Sequence, residues 1–475
     1  MADFVLTATH DVSLSPDDVL GLFGSRAAIS WLFDVQCDAV RVGSPVTLVL
    51  PAGSLGHDPV AVLGRISRIV PGKSIEIVHD QPWQGMLKIL VRPNSSGGSS
   101  VTVLGKVDQR GLEWVMQRRG WPLRAKGNDS THRIGLLISK SGPAAVFTVA
   151  MEYMAELAVE ELNAEGGIHG RPIEVVVADD ATNKDQAILE SRQLLAIGSR
   201  AVITSVTSAS FAAVQNTLAS TGRPLIHTVV NEGGNGSESV MRWGERPLAQ
   251  VRTAAGSVME AAGGKRWYMI GNDYQWPRGA HRAAARALSE VGAQIVGNEF
   301  VPVGTVDFTS TLERIERSGA DCVLSTLIGA DEIAFERQTW AAGLRSKWQT
   351  LSLVLEESSR ERIGDAAAQG IWTALGYYED LATPENKVLV ERYRSRYGKW
   401  APPLSSLSES IYEAIMLYAA AARSSASGDS SVIRNLRQIA GRMPRGAVAA
   451  KGPHMMQQDL YLARAGNGGF DIVNG

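Results

Sequence analysis

From His132 onward, short and fully apolar runs alternate with amphipathic segments of helical length, and few folds can use such a pattern. Ile134–Ile138 leads into the loop 139–146. Phe147, Met151, Met154, Ala158 and Leu162 then recur at helical spacing, and the apolar run 173–177 follows. Glu165-Gly166-Gly167 supplies a helix stop between them. The unit repeats at 201–205, 265–271 and 321–327, with helical segments from Ser210, after Pro277 and over Glu332–Ala341. Apolar strands joined by helical crossovers belong to a parallel sheet covered on both faces. About 340 residues exceed one comfortable core, so two lobes are expected, dividing near Val251 and again near Tyr377–Tyr378.

Residues before this region have a different pattern. The polar stretch Trp121–Arg133, rich in turn formers, places a linker at 122–132. Upstream, Ser15-Pro16-Asp17-Asp18 reads as a helix start, with a capping hydroxyl, proline in the first turn and acids at the positive end. Strand runs follow at 44–50, 61–70, 73–79, 85–93 and 100–107, separated by turn chemistry, and 111–120 is helical. A short helix, an antiparallel meander and a last helix predict an α+β domain over 1–121, with the sheet curled around its final helix.

Composition narrows the function classes. Of 475 residues, 44% are hydrophobic and 20% charged, which fits a globular chain. A net charge of −2 offers no basic excess for nucleic acid. Cys37 and Cys322 fall in different expected domains, so no disulfide framework is expected. No apolar run reaches the roughly 20 residues that span a bilayer, and Asp3, His10 and Asp11 break any leader-like segment. Membrane insertion is therefore not expected, and the expected location is cytoplasmic. The phosphate-binding Gly-x-x-x-x-Gly-Lys-Ser/Thr loop, histidines at metal spacing and a Gly-x-Ser-x-Gly elbow are all missing from the sequence. No catalytic residue, metal ligand or cofactor is expected.

In open parallel sheets, ligands bind beyond the carboxyl ends of strands. Small hydroxyl residues recur there: Ser139 and Ser141-Gly142 after the first strand, and Thr207, Ser208 and Ser210 after the strand at 201–205. Hydroxyls and free N–H groups at helix starts hold a carboxylate, amide or urea-like group, though each such serine also suits plain capping of its own helix.

Several longer runs carry a resemblance: GLLISKSGP (135–143), LNAEGGIHGRPIEVVVAD (162–179), SVTSAS (205–210), IGNDYQWPR (270–278), VPVGTVDFTSTLERI (301–315), STLIG (325–329) and TPENKVLVERYRSRYG (383–398). MPRGAV (443–448) and Gly452-Pro453-His454 fit as well. Residues 133–475 resemble the type I periplasmic binding proteins, in the branch of urea, amide and branched-chain amino acid binders. The resemblance implies a clamp whose first lobe takes about 133–250 and 379–450 and whose second takes about 251–378 and 451–475. It implies a small amide-, urea- or amino-acid-like ligand between the lobes. The positions it assigns to the ligand are Ser141, Gly142, Val206, Thr207, Ser208, Asn231, Tyr274, Trp276, Gly329 and Glu356. Val206 and Asn231 stand where amide sensors of the family place tyrosines, and Trp276 replaces another. Ala330 and Leu353 stand where urea binders carry polar residues, which argues for a larger or more apolar ligand.

The first 120 residues resemble the START-like (SRPBCC) helix-grip superfamily, through AAISWLFDV (27–35), VGSPVTLVL (42–50), GRISRIVPGKSIEIVHDQPW (64–83) and GLEWVMQRRG (111–120). The expected fold class is thus an α+β helix-grip domain followed by a two-lobed α/β periplasmic-binding-protein type I domain. His79, Asp80 and Trp83 cluster in one turn that reads either as facing the cavity of this domain or, the reading favoured, as a surface turn with a satisfied histidine. The function expected first is a non-enzymatic ligand sensor. The substrate-binding component of an ABC-type uptake system is the alternative, and an enzyme working in the START-like pocket a further one. Expected partners are the small molecule between the lobes, an apolar ligand in the amino-terminal domain, a regulatory protein or transporter, and a second copy of the chain.

Overall fold

A computed structural model describes residues 4–24, 34–50, 59–95, 97–118, 130–234, 237–425 and 429–473. Most of the run 27–35, the turn at 51–58 and most of the linker 122–132 lie outside the described residues.

Among the described residues, the amino-terminal domain is one antiparallel sheet with two helices. Its elements are β1 (Phe4–Val12), α1 (Pro16–Gly21), β2 (Asp34–Cys37), β3 (Pro45–Leu50), β4 (Val60–Val70), β5 (Ser74–Gln81), β6 (Gly85–Pro93), β7 (Ser99–Val107) and α2 (Gln109–Arg118). The strand order is β1-β7-β6-β5-β4-β3-β2, a meander whose first strand pairs with its last. Ser15 caps α1 by accepting the Asp18 N–H, with Pro16 in the first turn. Alternate residues of β3 to β7 turn inward. Val46, Leu48, Ile66, Ile77 and Ile89 join Trp83 and Trp114 of α2 in a single core. β1 escaped the sequence reading because Val5 and Leu6 are exposed, so it lacks a buried alternation.

The clamp begins with β8 (His132–Ile138), α3 (Met151–Ala164), β9 (Ile173–Asp179), α4 (Lys184–Ala196), β10 (Ala201–Ser205), α5 (Ser208–Leu218), β11 (Leu225–His227) and β12 (Val240–Arg242). These strands form the parallel sheet of lobe 1, in the order β12-β11-β10-β8-β9. Phe147, expected on the apolar face of the first helix, instead sits in a 3-10 turn over Ala145–Thr148, before α3 starts at Met151.

Lobe 2 follows with α6 (Pro247–Ala262), β13 (Arg266–Asn272), α7 (Gln275–Glu290), β14 (Gln294–Val301), α8 (Thr309–Ser318), β15 (Cys322–Thr326), α9 (Gly329–Ala341), β16 (Gln349–Ser352), α10 (Glu357–Ile363), α11 (Asp365–Ala368) and β17 (Trp372–Leu375). The first crossing between lobes runs through 243–246, so Val251 lies inside α6 rather than at the division. The chain then returns to lobe 1 as α12 (Pro384–Tyr397), α13 (Ser406–Arg423), α14 (Asp429–Leu436) and the small sheet β18 (Ala440–Met443), β19 (Gly446–Ala450), β20 (Met456–Gln457). It ends in lobe 2 with β21 (Tyr461–Ala465) and β22 (Phe470–Ile472), which complete the order β14-β13-β15-β16-β17-β21-β22.

A buried charge knot ties the crossings together. The Arg445 guanidinium pairs with Glu409, with Glu413 at 2.8 Å and with Glu245 at 3.6 Å. Glu245, on the first crossing, also accepts the Gly376 N–H of the second at 3.0 Å and the Ser406 hydroxyl at 2.5 Å. Tyr461, on the last return, donates to the Arg445 carbonyl at 2.9 Å. Three carboxylates share one cation in a buried site, and burial pushes the Glu413 carboxyl up to about 8.

Candidate functional site

The lobes meet around a small cavity of about 50 Å³, room for only a few waters. They stand nearly shut. A side chain at Gly329, whose φ is +55°, would run from lobe 2 into the Pro143 carbonyl of lobe 1.

Lobe 1 contributes strand ends and helix starts. Ser205 and Val206 end β10, and Thr207 caps α5, its hydroxyl accepting the Ser210 N–H at 3.3 Å. Ser208 opens that helix, and its buried hydroxyl has no protein partner. Ser139 donates to Asp180 at 2.6 Å, and burial pushes the Asp180 carboxyl up to about 6. Thr148 donates to the Ser139 carbonyl at 2.9 Å, which anchors the turn carrying Phe147. Ala144, Val229, Val230 and Leu407 complete this wall.

Lobe 2 supplies rings and aliphatic groups: Tyr274 and Trp276 at the start of α7, with Ile328, Val354 and Leu375. Trp276 is buried and its indole N–H lacks an acceptor. Among the described residues, Glu356 is the one charged side chain lining the cavity, and its own helix occupies it. One oxygen accepts the Ser358 N–H at 2.8 Å, the other the Ser359 N–H at 2.7 Å and hydroxyl at 2.8 Å. Burial raises its carboxyl, and those donors oppose the rise.

Of the positions singled out from sequence, Val206, Thr207, Ser208, Tyr274, Trp276 and Glu356 come together around this cavity. The other four do not line it. Ser141 donates to Asp179 at 2.8 Å. Gly142, with φ +84°, makes a turn in which any side chain would meet the Ala181 carbonyl. Asn231 braces the first crossing by donating to the Gly244 carbonyl at 3.2 Å. Gly329 forms the close approach between lobes. Phe147 and Thr148 went unnoticed because they read as helix, and Val229, Val230, Ile328, Val354, Leu375 and Leu407 because apolar residues at strand ends read as core.

His79, Asp80 and Trp83 are not a surface turn. His79 is buried and bonded to the Trp83 carbonyl at 2.9 Å, and burial lowers its pKa to about 4. Asp80 accepts the Tyr153 hydroxyl of lobe 1 at 2.8 Å, so this turn faces the clamp.

Two lobes built on parallel strands, the second with an antiparallel pair at its edge, three crossings and a cavity at the strand ends define a two-lobed binding clamp. The family described as "Periplasmic binding protein" matches residues 131–469, and the chain belongs to that family. Among curated relatives, the Leu/Ile/Val-binding protein of Escherichia coli (strain K12) is 24% identical over 267 residues, 56% of this chain and 72% of that one. The Leu/Ile/Val-binding protein homolog 7 of Brucella melitensis biotype 1 is 26% identical over 310 residues, 60% of this chain and 76% of its own. Two solved structures share the fold. One is a branched-chain amino acid transporter substrate-binding protein of Streptococcus pneumoniae in complex with isoleucine, with TM-score 0.64, 21% identity, 73% of this chain and 100% of that one covered. The other is a solute-binding protein of an R. palustris ABC transporter in complex with benzoate, with TM-score 0.63, 21% identity, and 72% and 96% covered.

Proposed function

We propose that this chain is a non-enzymatic solute-binding protein whose lobes close on a small, largely apolar carboxylic acid. One observation carries the reading: a cavity walled mainly by apolar side chains holds two unpartnered donors, the Ser208 hydroxyl on lobe 1 and the Trp276 indole N–H on lobe 2. Buried donors without acceptors are costly. A carboxylate bridging them at the amino end of α5 relieves that cost. Because Glu356 is engaged by its own helix, an aromatic or aliphatic acid suits the cavity better than a zwitterion, whose ammonium needs a free carboxylate. Relatives named for leucine, isoleucine and valine, and neighbours holding isoleucine or benzoate, support a ligand of this polarity more than urea or acetamide, one for which the nearly shut lobes must part. The ligand contacts proposed are Val206, Thr207, Ser208, Tyr274, Trp276 and Glu356.

Calorimetry on the full chain with benzoate, L-isoleucine, acetamide and urea tests this reading. Binding is expected for benzoate and, more weakly, isoleucine. Ser208→Ala should weaken it about tenfold, the worth of one hydrogen bond to a charged group. Heat from urea alone, or an indifferent Ser208→Ala, counts against the assignment.

The role the relatives favour is the substrate-binding component of an ABC-type uptake system, working in the periplasm. A sensor remains a second reading because the amino-terminal domain lies against both lobes. Cell fractionation separates them: periplasmic recovery supports uptake, and recovery only from cytosol supports the sensor. We read the amino-terminal domain as a START-like helix-grip domain, supported by the β1–β7 pairing and by α2 joining the sheet's core.

A further inference from the structure

The amino-terminal domain grips the clamp at two segments that also build the cavity, one from each lobe. On lobe 1, Gln81 donates to both the carbonyl and the hydroxyl of Thr148 at 2.9 Å, and Thr148 lines the cavity. Asp80 and Trp114 bond Tyr153 at 2.8 Å and Asp179 at 2.9 Å. On lobe 2, Arg65 pairs with Glu361 at 2.6 Å, and Arg362 donates to the Thr47 hydroxyl at 2.9 Å. Glu361 and Arg362 belong to α10, the helix capped by the cavity residue Glu356. Between these polar anchors, Leu63 packs on Ala145, Val146 and Val149 of lobe 1, with Ile333 of lobe 2 against the same cluster.

Both sets of contacts form at once only when the lobes stand in one relative position. Parting the lobes moves α10 and Ile333 away from the 145–149 turn, and a rigid β-sheet cannot follow both. We propose that the amino-terminal domain is a built-in lock that docks on the closed clamp, so that docking and ligand closure strengthen one another. This rests on the interlobe cavity being the ligand site, since only then does closure report ligand. Coupling of this kind is reciprocal: whatever factor docking adds to ligand affinity, ligand adds to docking.

The test cuts the lobe 2 anchors alone. Full-length Arg65→Ala/Thr47→Ala protein is compared with wild type by hydrogen–deuterium exchange and small-angle scattering, with no ligand added. Glu361→Gln, at a half-buried position, repeats the measurement should the double variant misfold. Faster exchange by about fivefold or more in 143–149 and 328–333, which face each other across the lobes and touch none of the altered side chains, is expected together with a larger radius of gyration. Exchange that rises only in 357–364 and in the amino-terminal domain, with unchanged dimensions, overturns the lock. A benzoate titration on the same proteins separates the two claims. A weaker affinity in the variants, by about tenfold, supports both, and equal affinity in variant and wild type overturns the lock. Absence of any benzoate or isoleucine heat alongside the expected exchange sinks the ligand reading and leaves the lock standing.

Discussion

The cavity and the charge knot both lie between the lobes and both bury polar groups, yet they treat those groups in opposite ways. In the knot, Arg445 meets Glu245, Glu409 and Glu413, so one cation serves three buried carboxylates, and an oxygen of Glu245 and one of Glu409 stay without a hydrogen-bond donor. In the cavity, Ser208 and Trp276 keep donors that the protein leaves without acceptors. Paired burial holds the three crossings in register and contributes to structure. Unpaired burial costs stability and is retained where something else completes the bond.

Breaking the knot should have the largest effect. Arg445→Met leaves three buried carboxylates without their cation, and the expected loss is about 3–5 kcal/mol in urea unfolding at pH 7. A loss near zero would remove the distinction between the two regions. Trp276→Ala opens a void in the lobe 2 wall, and the same assay should show a loss of about 3 kcal/mol.

A pH series sharpens the comparison. Burial pushes the Glu413 carboxyl up to about 8 in the folded chain, above its ordinary value of 4.5. The folded state therefore holds the proton more tightly, and this group's contribution to stability falls as pH rises from about 5 through 8. Glu413→Gln should match wild type near pH 4 and exceed it at pH 9 by on the order of 2 kcal/mol in denaturant midpoints. An advantage that grows toward acid would contradict the knot's electrostatics. Smallest of all, Trp276→Phe keeps the wall and deletes only the N–H. Unfolding stability should shift by less than about 1.5 kcal/mol, while benzoate affinity falls several-fold in calorimetry.

Much of the clamp is legible in the sequence because its strands are buried on both faces and read as unbroken apolar runs, as at Ala201–Ser205 and Cys322–Thr326. The capping serine before α1 and the glycines after α3 are equally local signals. Of the cavity's lining, Ser208 follows a strand as a hydroxyl at a helix start, while Trp276 was marked only by the family resemblance. Phe147 was not, because helical spacing runs straight through the 3-10 turn that aims it elsewhere. Nor was Glu356's engagement with Ser358 and Ser359, which depends on helix-cap geometry rather than residue type. The docking of Asp80 on Tyr153 joins residues 73 positions apart and leaves no periodic trace.

The order of strands also has a consequence for synthesis. The amino-terminal sheet is complete once β7 pairs with β1, all within the first 107 residues. Lobe 2 instead cannot complete its sheet until β21 (Tyr461–Ala465) is made and pairs with β17, long after the amino-terminal domain has been synthesised. A nascent chain therefore carries a finished first domain beside an unfinished receptor for it, and a shortened tail would cost the clamp before it cost the domain.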